Sequence, residues 1–151
     1  MFILKKSFTF DAAHRLASHK GKCKNIHGHT YKVVVTLIGP ELNDSDMLID
    51  FGDVSELIKQ YLDDHYDHAL ILDIDEDKLI KALQPFRLKL LTVPGAPTAE
   101  NMSKWLYEHF HPIFSNRGLG LSIEVWETPT SSAEYHNVRE ETGEEEEEKL
   151  F

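Results

Sequence analysis

Two alternating segments, each ending its apolar row in histidine, restrict this chain's fold more than any other feature. Over residues 2–14, Phe8, Phe10, Ala12 and His14 fall on one side, and Ser7, Thr9 and Asp11 on the other. Over residues 27–38, His27, His29, Tyr31, Val33, Val35 and Leu37 share a side, with Thr30, Lys32 and Thr36 among those opposite. A period of two marks a strand with one face in a core. In both segments the histidines continue the buried row at one end. Antiparallel pairing of the two strands brings His14 beside His27 and His29. The loop between them is long and polar and contains Lys20, Gly21, Lys22, Cys23 and Lys24.

Three imidazoles gathered in this way form a three-nitrogen zinc site, and Gly28 adds no bulk between two of them. Three protein ligands leave a position open for water or substrate, the pattern of catalytic rather than structural zinc. Cys23 then has two readings. It is an acid/base or nucleophile whose thiolate is favoured by Lys22, Lys24 and a nearby metal ion. Alternatively it is the fourth ligand of a closed, structural tetrahedron.

Further along, Gly39-Pro40 ends the second strand. The stripe Val54, Leu57, Ile58, Tyr61 and Leu62 predicts a helix from Asp53 to about Asp64, with Asp53 and Glu56 resembling a capping box. A short helix is expected over Asp77 to Leu83 and an extended segment over Leu88 to Val93. Pro94-Gly95-Ala96-Pro97 is a break. Thr98 reads as the N-cap of a helix from Ala99 to about His111, carrying Met102, Trp105, Leu106 and Phe110 on one stripe. Residues 119–128 alternate, with Leu119, Leu121, Ile123, Val125 and Glu127 on one face, and a last strand is expected over Ala133 to Val138. The order strand, strand, helix, helix, strand, strand implies one domain over residues 1–138, without repeat or linker.

Composition narrows the function classes. The net charge of −10 argues against nucleic acid as a partner. Residues 139–151 hold seven Glu against Arg139 and Lys149 and read as a solvated, disordered acidic tail. No apolar run approaches the roughly 20 residues that cross a membrane, and the N-terminus lacks a signal-peptide layout. A single cysteine fits a reducing, cytoplasmic setting.

Three more candidates stand out. Asp67-His68 is either a carboxylate-supported proton shuttle or a histidine at a helix C-terminus. Glu127 ends an apolar face, where an isolated carboxylate is costly. It either emerges into solvent or accepts paired hydrogen bonds from a planar amino-pyrimidinone edge. Glu100 is a first-turn carboxylate favoured by the helix dipole or a second ligand contact. His65, His109 and His111 are assigned to helix C-termini, while His19 and His136 are left without a role.

In order, Phe-Asp-Ala-Ala-His14, Cys23-x-x-x-His27-Gly-His29, Leu48-Ile-Asp-Phe51, Tyr66-Asp67-His68, Pro97-Thr98-Ala-Glu100-Asn101 and Val125-Trp-Glu127-Thr128 resemble the successive motifs of the 6-pyruvoyltetrahydropterin synthase family, over residues 7–138. The gap between Cys23 and His27, and Glu127-Thr-Pro-Thr-Ser131, are similar to the bacterial branch, the 6-carboxy-5,6,7,8-tetrahydropterin synthases of queuosine biosynthesis. The resemblance implies a zinc-dependent lyase that converts 7,8-dihydroneopterin triphosphate to 6-carboxy-5,6,7,8-tetrahydropterin, releasing acetaldehyde and triphosphate. It implies an α+β tunnelling fold: a four-stranded antiparallel sheet with two helices on one face, in ββααββ order. Trimers would pair into a homohexamer with active sites between subunits.

By the same resemblance, His14, His27 and His29 hold Zn2+, and Cys23 is the proton-transferring thiol. Asp67 and His68 complete its relay from an adjacent subunit. Glu127 anchors the pterin ring, helped by Thr98 and Glu100. Arg15, Lys20, Lys22 and Lys24 are candidates for the triphosphate. Residues 73–97 match no motif, and Ala99 stands where some relatives carry a second Thr. The rival readings are a pyruvoyltetrahydropterin synthase or sepiapterin-cleaving relative, and a non-catalytic zinc module closed by Cys23.

Overall fold

A computed structural model describes residues 1–137. The expected acidic tail over 139–151 and the end of the last strand at Val138 lie outside the described residues. The alternating segments form β1 (Phe2–His14) and β2 (His27–Gly39), paired antiparallel along their whole length with His14 opposite His27 and Ala12 opposite His29. β5 (Gly120–Thr128) pairs antiparallel with β2, and β6 (Ser131–His136) with β5.

The expected four-stranded description is incomplete. Two short strands, β3 (Leu70–Asp73) and β4 (Leu90–Val93), extend the sheet beyond β1, and both ladders are parallel. Among the described residues the sheet therefore has six strands in the order β4-β3-β1-β2-β5-β6. β3 escaped the sequence reading because it lacks alternation. Ile71 and Leu72, neighbours in the chain, are both fully buried, as expected for a parallel strand covered on both faces.

There are three helices among the described residues rather than two: α1 (Phe51–His65), α2 (Asp77–Leu83) and α3 (Ala99–Ser115). α1 starts two residues before the expected Asp53 because Asp50, not Asp53, is its cap, accepting from the Gly52 N–H. Thr98 caps α3 as expected, accepting from the Asn101 N–H at 3.3 Å. α3 runs past His111 because Pro112, in the last turn, still offers its carbonyl to the Asn116 N–H.

Val54, Ile58 and Leu62 of α1 and Met102, Leu106, Phe110 and Phe114 of α3 join one core with Phe10, Tyr31, Val33, Val35, Ile123 and Val125 of the sheet. Fully burying each large side chain contributes about 1.5–3 kcal/mol. The histidine-bearing face is thus the core face, and its row turns from apolar to imidazole at one end of β1 and β2. No helix of the described residues is long and apolar enough to cross a membrane.

Candidate active site

Register alone brings the three imidazoles together. His14, His27 and His29 each offer a ring nitrogen within 4.8 Å of the others. His14 is completely buried. Its Nδ1 lies 2.7 Å from the Pro97 carbonyl, and the His27 Nδ1 lies 2.8 Å from the Asn25 carbonyl. A carbonyl can only accept, so in the neutral rings both Nδ1 atoms carry the proton and both Nε2 atoms present lone pairs. Those two Nε2 atoms approach to 3.1 Å. The His29 Nε2 is buried without a hydrogen-bond partner among the described residues.

Facing lone pairs and an orphaned nitrogen are unfavourable by themselves and are satisfied by a cation between them. Backbone carbonyls that orient the far ring nitrogen are the usual support of histidine metal ligands. Burial, resisted by the Pro97 carbonyl and the Glu127 charge, pushes His14 below the ordinary imidazole value; burial, resisted by Glu127, does the same to His29. Both rings are therefore held neutral, the form that ligates metal. The donor set fits a borderline-soft divalent ion such as zinc.

Glu127 stands on the same face at the end of β5. Its Oε1 is 3.6 Å from the His29 Nε2, beyond hydrogen-bond reach, so the carboxylate keeps acceptor capacity for a ligand. Below it the Tyr31 hydroxyl is buried with no partner among the described residues. Burial first, and the Glu127 charge second, push this phenol far up, so it stays a donor. Thr98 lies next to the site through Pro97. Glu100 is exposed in the first turn of α3, and its backbone carbonyl accepts from the Ser103 hydroxyl.

Asp67 and His68 are brought together but not to the triad. The Asp67 carboxylate accepts from the Asp11 N–H at 2.9 Å through Oδ1, and Oδ2 lies 2.6 Å from the His68 Nδ1. The Asp11 N–H first, and His68 and Lys89 after it, hold this carboxyl below the usual range, against a smaller opposing effect of burial. His68 borders a cavity of about 570 Å³ with Lys89 and the consecutive residues Asp11, Ala12 and Ala13 of β1 and Gly28, His29 and Thr30 of β2. The cavity thus runs along the ends of β1 and β2 and reaches His29 as well as His68. Cys23 sits half-buried in a 3-10 turn over Lys22–Lys24, and its carbonyl accepts from the Leu16 N–H at 2.9 Å. It does not join the group of nitrogens.

The sequence profile of 6-pyruvoyl tetrahydropterin synthase matches residues 3–138. The chain belongs to that family. It is 39% identical over 142 residues to the 6-carboxy-5,6,7,8-tetrahydropterin synthase of Haemophilus influenzae, covering 89% of this chain and 99% of the relative. The enzyme of that name from Aquifex aeolicus is 30% identical over 157 residues, covering 87% and 96%. Among solved structures, an uncharacterized protein from Wolinella succinogenes superposes with a TM-score of 0.79 at 26% identity, covering 90% of this chain and 98% of its own. A 6-pyruvoyltetrahydropterin synthase from Plasmodium vivax shares the fold, with a TM-score of 0.68 at 20% identity and coverage of 91% and 99%.

Several expectations for this member of the 6-pyruvoyl tetrahydropterin synthase family need correction. Arg15 is not a free cation for phosphate: its Nε lies 3.3 Å from the Glu76 carboxylate. Lys20, Lys22 and Lys24 are exposed. His109 and His111 are not at a helix end, because α3 continues beyond them. The His109 ring stacks on Tyr61 at 3.8 Å and the His111 ring on Tyr107 at 5.0 Å. The sequence reading also missed the Pro97 and Asn25 carbonyls, the Tyr31 hydroxyl and Lys89. The only signal for Pro97 was the proline-glycine break that ends in it.

Proposed function

We propose that this chain is a metal-dependent lyase that converts 7,8-dihydroneopterin triphosphate to 6-carboxy-5,6,7,8-tetrahydropterin with release of acetaldehyde and triphosphate, in queuosine biosynthesis. Residues 1–138 would form the catalytic domain. The observation that carries this reading is the convergence of three imidazoles, two of them anchored by backbone carbonyls, in a group that Cys23 does not enter. Such a donor set leaves a coordination position open, which speaks against the closed structural site. The names of the Haemophilus and Aquifex relatives support the carboxy product over the pyruvoyl one.

His14, His27 and His29 would hold zinc, which when bound supplies Lewis acidity toward the side-chain hydroxyls of the substrate. The chain's own residues do the rest. Glu127 accepts the paired N–H groups of the pterin ring and fixes the plane of the substrate, with Thr98 and Glu100 at the nearby end of α3. That fixation converts an encounter into an aligned reaction. Cys23 holds and moves a proton at the substrate side chain. In the Asp67–His68 pair the carboxylate keeps the proton on Nδ1, so Nε2 is the atom that takes or returns one.

Because that pair is held at the β1 edge by the Asp11 backbone and stays outside the imidazole group, it would serve the site of another copy. A site shared between chains supports a homo-oligomer, with trimers paired into a hexamer. Exposed Lys20, Lys22 and Lys24 would meet the triphosphate.

Purified metal-loaded protein incubated with 7,8-dihydroneopterin triphosphate tests the reading. Carboxytetrahydropterin and acetaldehyde are expected in equal amounts. A pyruvoyl product without acetaldehyde would make this a pyruvoyltetrahydropterin synthase instead. No consumption of the pterin would reject both.

A further inference from the structure

The Asp67–His68 pair sits in a backbone conformation that needs external support. His68 has φ +57°, in the left-handed region, which costs a residue with a side chain roughly 1–2 kcal/mol. Such conformations persist where the surroundings over-determine them. One side of the support is β1: the His68 N–H donates to the Asp11 carbonyl at 2.6 Å, and Asp67 accepts from the Asp11 N–H.

The other side is Lys89. Its Nζ donates to the carbonyls of Asp63 and Asp67, both at 2.7 Å. The Asp63 carbonyl lies in the last turn of α1, where carbonyls lose their helical partners. The Asp67 N–H, which would reach Asp63 in a continued helix, turns instead to the Leu62 carbonyl at 2.8 Å. Lys89 is itself anchored, because its carbonyl accepts from the Leu70 N–H at 2.9 Å as the β3–β4 ladder begins.

We propose that Lys89 is a positioning residue for proton transfer, clamping the Asp67 carbonyl and the end of α1 so that the His68 ring is presented in one orientation. This rests on the reading of Asp67 and His68 as the proton-moving pair. Lys89 then acts through that pair rather than on substrate. The clamp ties the β3–β4 extension to the pair, and so gives residues beyond the antiparallel part of the sheet a task in the reaction. A lysine that merely finished α1 would change thermal stability and leave the His68 ring alone.

Two variants of the full chain in its native assembly separate these roles. Lys89→Met keeps the stem and removes the donors; Lys89→Arg restores donors. Nitrogen-15 spectra, with the His68 signals identified by their loss in His68→Gln, report the ring tautomer. Folded Lys89→Met is expected to lose the single Nδ1-protonated signature and to drop kcat about tenfold or more, with KM within about twofold. Lys89→Arg is expected to recover both.

Unchanged His68 signals in folded Lys89→Met overturn the proposal, whether or not kcat falls. If Lys89→Met does not fold, Lys89→Gln, whose shorter, uncharged amide cannot bridge both carbonyls, is read by the same signals, and an unaltered ring again overturns it. A wild-type chain that leaves the pterin triphosphate untouched would sink the functional reading instead, while the ring spectra would still decide what Lys89 positions.

Discussion

The β1–β2 hairpin and the stretch from Leu70 to Thr98 both build the site, by opposite means. The hairpin contributes side chains. His14, His27 and His29 converge because two alternating strands pair in register, and every step of that argument is visible as a period of two. The second stretch contributes anchors: the Pro97 carbonyl on His14, the Glu76 carboxylate on Arg15 and the Lys89 ammonium on the Asp67 carbonyl. Pro97 and His14 are 83 positions apart. Groups that bind and react need particular side chains at particular spacings. Groups that hold them steady can be any carbonyl or any long cation that folding delivers, so they leave little trace in the chain.

The comparison breaks most visibly if the hairpin histidines are not what holds the metal. His29→Ala removes the nitrogen that has no partner among the described residues. It is expected to abolish zinc retention on gel filtration and to lower turnover by about a thousandfold or more, since Lewis-acid stabilisation is worth several kcal/mol. Cys23→Ala should lower turnover by about a hundred- to ten-thousandfold, the range for a lost proton-transfer group. It should keep its zinc and its fold. Zinc lost from Cys23→Ala, measured by metal analysis, would mean a closed structural site.

The same contrast explains how far the chain could be read in advance. β1, β2, α3 and the face that carries Glu127 were legible because amphipathic periodicity is a local property. The core row Phe10, Tyr31, Val33, Val35 and Leu37 was legible for the same reason. β3 was not, since Ile71 and Leu72 are buried on both faces and the segment has no period. The start of α1 was misjudged because Asp50 and Asp53 are both plausible caps, and only geometry selects Asp50. In the site, the metal group followed from register. Asp67-His68 was visible as a dipeptide and as part of a family motif, but not its internal hydrogen bond or the φ of +57° at His68, which no spacing rule encodes.

A smaller effect sharpens the contrast from the anchoring side. Thr98→Ala removes the N-cap of α3 and should destabilise the protein by about 1 kcal/mol, read from urea unfolding. Because Thr98 follows the carbonyl that orients His14, the variant should also bind zinc about tenfold more weakly, as second-layer partners of metal ligands do. If stability falls while zinc affinity stays put, the Pro97 carbonyl is not held by the helix cap, and the anchoring stretch is less coupled to the metal than its hydrogen bond implies.

The smallest expected effect concerns a histidine in neither region. His109 stacks on Tyr61 between α1 and α3, and burial first and the nearby His65 second push it below the ordinary imidazole value of 6.5. A group lowered on folding stabilises the protein fully above its unfolded value and stops doing so as the pH falls through its folded one. His109→Gln should therefore cost about 0.5–1 kcal/mol at pH 7, the worth of an aromatic pair. Its stability difference from the wild type should narrow as the pH drops from 7 to 5, because protonation of His109 removes the advantage from the wild type alone. Zinc content should not change across the series. If zinc retention in His109→Gln did shift with pH differently from the wild type, the helices behind the sheet would be linked to the imidazole group. The anchoring role would then extend beyond Leu70–Thr98 to the whole α1–α3 layer.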